Sequence, residues 1–278
     1  MPPPEEKPVP PDQLAAVERL IQVVDTLRSP GGCPWDAEQT VESLAPHLLE
    51  ECHELADAVA RGDDAGIREE LGDLLMGVLM VARVASEDRG FGLTEVVEGI
   101  TAKLIRRHPH VYGEVGVAGT GEVLGNWEAI KKTEKEEAGQ EDTSALSGVP
   151  ATLPALLRAW RVGQKAANAG FDWPDLLGPA EKVEEEWAEF QEAVARDDRE
   201  AARHELGDLL FAVVNLARKI DVEPELALRG TIERFTARFR HIERHLGKPL
   251  GEASLEEMDA LWEEAKQAEA AAPARPRP

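Results

Sequence analysis

The sequence predicts an all-α protein made of two tandem copies of one helical module, each a carboxylate-bearing helical hairpin in a small helical bundle. Three observations carry this. Helical periodicity runs through nearly the whole chain, and no stretch sustains the alternation of a half-buried strand. Aromatic residues are few, one Tyr and six Phe in 278 residues. Residues 51–83 (ECHELADAVARGDDAGIREELGDLLMGVLMVAR) also align without a gap to 186–218 (EWAEFQEAVARDDREAARHELGDLLFAVVNLAR), with 17 of 33 positions identical at an offset of 135. A repeat of that length and register is a duplication.

Helix-start signals recur along the chain. They include Asp12 before QLAAVERLIQVVDTL, Thr152 ahead of Pro154 and ALLRAW, and Gly178-Pro179 before AEKVEEEWAEF. Residues 1–11 and the tail 267–278, rich in proline and alanine, read as disordered extensions. Residues 12–112 form the first module and 151–266 the second. Between them, 113–150 carries five glycines and the charged run KKTEKEEAGQED, and reads as a linker with one short helix from Val123 to Glu137.

Composition narrows the function. The net charge of −23 repels nucleic-acid phosphates, so nucleic acid is not an expected partner. No apolar run approaches the roughly 20 residues that cross a bilayer. The acidic, proline-rich start lacks the basic and apolar regions of a signal peptide. Cys33 and Cys52 are too few for a disulfide framework or a four-cysteine zinc site. A cytoplasmic chain without a membrane partner is expected.

Outside the hairpin turn, four acids are identical in both copies: Glu51, Glu54, Glu70 and Asp73 in the first, Glu186, Glu189, Glu205 and Asp208 in the second. Each pair is spaced i, i+3, so both carboxylates share a helix face. A solvated acidic face is the ordinary reading of such acids, and angular position argues against it. At roughly 100° per residue, Glu186 and Glu189 flank Ala193 and Phe190, while Asp208 falls beside Ala212, Leu216 and Leu209. The carboxylates therefore lie on the apolar stripe, where clustering is unfavourable unless cations neutralise it. Hard oxygen ligands in this number suit Mg²⁺, with Mn²⁺ as a substitute, and not zinc. Gly72 and Gly207, directly before each Asp, suggest close helix approach at the metal.

A polyphosphate substrate also needs cations from the protein. Lys182, four residues before Glu186, shares its face, and Arg234 and Arg238 sit i, i+4 on a later helix. Trp187 and Trp173, with Phe171, could stack a base, and Trp35 holds a similar place in the first copy. Asn215 lies nearly above Asp208 and could touch sugar or base. His108 and His110 read as structural. No Walker-type loop, dinucleotide fingerprint or Cys/His zinc spacing is present.

The pattern EExxE…ExxD, present as EECHE…ELGD and EEWAE…ELGD, resembles the MazG nucleotide pyrophosphohydrolases. The segments GCPWDAEQT, RRHPHVYGE, NAGFDW and ELGDLLFAVVNLAR extend the resemblance over about residues 12–266. It implies Mg²⁺-dependent hydrolysis of nucleoside triphosphates, ribo and deoxy, to monophosphate and pyrophosphate. Broad base range, a nucleotide-pool housecleaning role and a homodimer are implied with it. By position it puts Glu186, Glu189, Glu205 and Asp208 on metal as the catalytic set, with Lys182 and Arg238 near phosphate. The first copy has His47, Cys52 and Met80 where the second has Lys182, Trp187 and Asn215, and Lys103 in place of Arg238. The second module is therefore expected to be the better catalyst, with the first quartet a second possible metal site. Two other readings remain: a pyrophosphatase restricted to one nucleotide, such as dUTP or phosphoribosyl-ATP, and a nucleotide sensor with little turnover.

Overall fold

The computed structural model describes residues 8–137 and 144–271. Among these, every regular element is a helix, as the sequence predicts. The chain divides into two compact units, residues 1–140 and 141–278. The terminal ends expected to be disordered, and residues 138–143 of the expected linker, lie partly or wholly outside the described residues.

The first unit contains α1 (Pro11–Arg28), α2 (Pro34–Glu38), α3 (Val41–Arg61), α4 (Asp64–Asp88), α5 (Leu93–Arg107), α6 (Pro109–Tyr112) and α7 (Thr120–Glu137). Asp12 does not cap α1. The helix begins at Pro11, whose fixed φ suits a first helical position and whose missing N–H costs nothing there. The core is a small apolar cluster of Val24, Leu44, Leu79, Met80 and Val84, which locks α1 against the α3–α4 hairpin. At the close approach of α3 and α4 sits Gly77, where a Cβ would come within 2.7 Å of a Leu48 methyl. Arg28, almost fully covered, ties this core to the GCPWDAEQT segment. Its guanidinium pairs with Glu87 at 2.7 Å and donates to the Gln39 carbonyl at 2.9 Å. Gly32 in that segment is required sterically, since a Cβ would meet the Thr26 carbonyl oxygen at 2.3 Å.

Helix α7 is longer than the Val123–Glu137 helix expected of a linker. It starts at Thr120 and is fastened to α5 by Glu134, which both Arg106 and Arg107 grip. The two guanidiniums, Arg107 foremost, hold the Glu134 carboxyl down at about 2. A depressed carboxyl contributes stability above its unfolded value near 4, and loses it as pH falls through the folded value. Glu134→Gln is therefore expected to loosen α7 by about 1 kcal/mol at pH 7 and to have no effect below about pH 2. Hydrogen exchange of the α7 amides at the two pH values reads this.

The second unit contains α8 (Ala155–Asn168), α9 (Leu177–Ala195), α10 (Arg199–Lys219), α11 (Pro224–His245) and α12 (Leu255–Ala271). Thr152 does not cap α8, which starts after Pro154. Helix α9 starts at Leu177, ahead of Gly178-Pro179, and the Trp173 ring lies so close to Gly178 that a Cβ there would meet it at 2.2 Å. Residues 267–271 are helical, not disordered, because Glu269 of α12 pairs with Arg238 of α11 at 2.7 Å.

The two hairpins turn in the same way. Gly62 and Asp197, at matching positions, both adopt left-handed backbone, with φ of 64° and 54°. The next residue in each copy, Asp63 or Asp198, caps the following helix, its carboxylate accepting a backbone N–H at 3.1 Å. The duplicated Asp of the turn is thus a helix cap, separate from the four duplicated acids of the helices.

Candidate metal centre and active site

Each hairpin brings its glutamates together as the spacing predicts. In the second unit, carboxylate oxygens of Glu186 and Glu189 on α9 and Glu205 on α10 lie within 4.8 Å of one another. In the first, Glu51 and Glu54 on α3 and Glu70 on α4 do the same. The helices meet on small residues, Ala58 and Ala193, which are fully buried one turn beyond each cluster. Glu186 is drawn inward and only 5 % exposed, whereas Glu51, Glu70 and Glu205 are half-buried and Glu54 and Glu189 stay exposed.

The fourth acid behaves differently in the second unit. Asp208 accepts from His204 Nδ1 at 3.0 Å, and His204, Glu205 and Asp208 form a second close group. His204 was not singled out in the sequence; its counterpart is Glu69, so the repeat gives it no signal. Asp73 lies near enough to Glu51 and Glu70 to repel both.

Electrostatics separate the two clusters. Burial and then neighbouring carboxylates push the Glu51 and Glu70 carboxyls above the ordinary range. Glu189 is raised for the same reasons, first burial and then Glu186 and Glu205. The second cluster, however, holds a cation of its own. Lys182 Nζ lies 2.6 Å from Glu186 and 3.0 Å from Glu185, and these partners raise its pKa well above the usual lysine value. His47, its counterpart, reaches only Glu50, at 3.8 Å, and meets the Trp35 ring edge-on at 6.2 Å.

The other expected site residues are less gathered. Trp187 is half exposed beside Glu186 and stacks on Phe190 at 5.7 Å, leaving ring surface open. Trp173 packs on Gly178. Asn215 is buried, its amide donating to the Phe211 carbonyl and its oxygen accepting from Arg218, against Gly163 of α8. Arg238 is drawn to α12, pairing with Glu269 and lying over the Trp262 ring at 5.4 Å. Arg234 donates to Thr231 at 2.9 Å. His108 and His110 face each other at 5.6 Å, and neither joins a metal-capable group among the described residues.

Gly72 and Gly207 differ from expectation. A Cβ at either would meet nothing within 4 Å, so among the described residues no other helix approaches them closely. Both lie on the exposed side of α4 and α10.

The two glutamate clusters fit a hard divalent cation: carboxylate oxygens on two antiparallel helices, in part withdrawn from water. The architecture is all-α, with an acidic cluster that could hold a metal ion in each of two repeated hairpins. Residues 39–112 and 179–246 match the model of the MazG nucleotide pyrophosphohydrolase domain, so both hairpins fall inside it. The nucleoside triphosphate pyrophosphohydrolase of Escherichia coli K12 is 41% identical over 262 residues, covering 91% of this chain and 98% of that one. The Thermotoga maritima protein named nucleoside triphosphate pyrophosphohydrolase/pyrophosphatase MazG is 42% identical over 252 residues, 90% of this chain and 95% of its own. A crystal structure of a mazG-related protein from Thermotoga maritima, 34% identical, covers 41% of this chain and 98% of its own at TM-score 0.37, too loose a superposition for a structural argument. The chain belongs to the MazG nucleotide pyrophosphohydrolase family.

Proposed function

We propose that the chain is a Mg²⁺-dependent nucleoside triphosphate pyrophosphohydrolase of broad base range, converting NTPs and dNTPs with water to the monophosphate and pyrophosphate. Its class is that of the family, a hydrolase of phosphoric anhydrides. The observation that carries the reading is the convergence of Glu186, Glu189 and Glu205 within 4.8 Å beside a lysine, inside a matched family segment. A nucleotide-pool housecleaning role in the cytoplasm follows from the same reading. No helix of the described residues is long and apolar enough to cross a membrane.

In this account Glu186, Glu189, Glu205 and Asp208 hold Mg²⁺, with Mn²⁺ as a substitute. The ion supplies neutralisation of the polyphosphate and an activated water. Lys182 stands ready to receive a phosphate oxygen, its ammonium already fixed at the cluster. Arg234 and Arg238 are the further phosphate cations, and Arg238 must leave Glu269 to serve. Trp187 offers an open ring to the base. Trp173 supports the start of α9, and Asn215 stiffens α10 behind the acids. The second module (151–266) is the main catalyst. The first (12–112) keeps a complete quartet, Glu51, Glu54, Glu70 and Asp73, and serves as a second metal site.

The functional unit is proposed to be a homodimer. Leu206, Leu210 and Val213 form an exposed stripe on α10, and their counterparts Leu71, Leu75 and Val78 are exposed on α4. Apolar surface repeated in both copies beside open glycines suits close packing of a second chain. Leu210→Glu is expected to shift the protein towards monomer in light scattering; an unchanged mass at micromolar concentration would place the contact elsewhere.

A nucleotide sensor with little turnover is the second reading, favoured by the first quartet's lack of a lysine. Product analysis with Mg²⁺ and each common NTP and dNTP separates the two. Monophosphate plus pyrophosphate supports the enzyme; binding without turnover supports the sensor.

A further inference from the structure

The modules carry the same quartet but not the same charge. On α9, Lys182 puts an ammonium 2.6 Å from Glu186, and the Glu186 side chain is almost fully covered. Lys182 also reaches Glu185, so it is held from two sides. On α3 the matching residue is His47, about half exposed, whose ionic partner among the described residues is Glu50, outside the quartet. Among the described residues, no lysine or arginine ion pair to Glu51, Glu54, Glu70 or Asp73 is found. Charges a few ångströms apart and partly withdrawn from water interact more strongly than surface pairs. A divalent ion entering the second cluster must compete with an ammonium already there. One entering the first meets carboxylates that have no such partner.

We propose that Lys182 is a built-in counter-ion of the second quartet, so that the nucleotide-free protein takes up divalent metal in two unequal classes, the first module binding more tightly than the second. This rests on the reading of both quartets as metal sites. Lys182 lowers the second module's affinity for metal alone and is released when a polyphosphate arrives to share it. The second module then loads metal together with substrate, while the first is filled beforehand.

The test is Mn²⁺ binding to the full-length protein without nucleotide, by isothermal titration calorimetry and by electron paramagnetic resonance of the free ion. Two classes are expected. Glu70→Ala removes the tighter and Glu205→Ala the weaker. Lys182→Ala strengthens the weaker class about five- to tenfold, and Lys182→Arg leaves it near the wild-type value. His47→Lys weakens the tighter class by a similar factor. Circular dichroism confirms that each variant is folded, and Lys182→Gln replaces Lys182→Ala if the latter is not. Unchanged affinities in Lys182→Ala, or a tighter second module, overturn the inference. If Glu205→Ala removes both a binding class and pyrophosphate release while Lys182→Ala shifts nothing, the counter-ion alone is wrong. If no Mn²⁺ binds to either quartet, the metal reading falls and takes this inference with it.

Discussion

Glu205→Ala is expected to lower Mg²⁺-dependent pyrophosphate release by at least about a hundredfold while leaving the protein folded. Glu205 is the α10 member of the cluster that joins Glu186 and Glu189, and it also borders the His204–Asp208 group. Its loss breaks both groups at their shared member. The effect on stability should run the other way. Burial and the mutual repulsion of these acids already push Glu189 upward, with Glu205 among the causes. Removing Glu205 relieves that repulsion, so the metal-free variant should melt no lower than the wild type, and a stabilised but inactive protein is the signature of a functional cluster. Glu70→Ala in the first module relieves the same kind of repulsion. It should retain most of the turnover, because the second module is proposed to carry catalysis. Product quantification beside thermal melts in chelator reads both effects. Unchanged turnover in Glu205→Ala would move the active site away from α9 and α10.

Asp172→Ala is expected to destabilise the second unit by about 2 kcal/mol at pH 7. Asp172, in the NAGFDW segment, accepts from Arg218 at 2.6 Å and from Lys219 at 2.8 Å. Both cations are largely covered, so the substitution leaves two charges poorly solvated as well as breaking two bonds. Arg218 first, and Lys219 with it, hold the Asp172 carboxyl well below the usual range. By linkage that stability is fully present above the unfolded value near 4 and is lost as pH falls towards the folded one. The gap between wild type and variant in urea melts should therefore close in acid. Asp172→Asn, which keeps an acceptor oxygen, should fall between the two. An equal gap at pH 7 and pH 2 would show that the clamp is not ionic.

The parts of the fold and site that are legible in the sequence share one property: they repeat or they are periodic. The hairpins emerge from the 135-residue offset, and the burial of Glu186 from helical angles against Ala193, whereas Glu189 on the same stripe stays exposed. The unread parts are contacts between residues far apart in the chain. Asp172 to Arg218 spans 46 residues and Arg238 to Glu269 spans 31, and neither pair has a local pattern. For that reason the NAGFDW segment suggests a base-stacking loop, although its Asp is a clamp and its Trp packs on Gly178. The start of α1 has a local reason, Pro11 beginning the helix with no capping side chain, whereas α12 runs past the expected boundary through the long-range Glu269–Arg238 pair. The position of Gly72 and Gly207 before each Asp suggests close helix approach, a role that belongs within the first unit to Gly77.

These carboxylates are proposed to serve the cleavage of a nucleoside triphosphate to its monophosphate. The most direct measurement is the identity of the products when the purified protein is incubated with Mg²⁺ and each common NTP and dNTP, beside a Glu186→Ala/Asp208→Ala double variant. Monophosphate and pyrophosphate in equal amounts from the wild type, and neither from the variant, are expected. Diphosphate with orthophosphate, or the same products from the variant, would contradict that role.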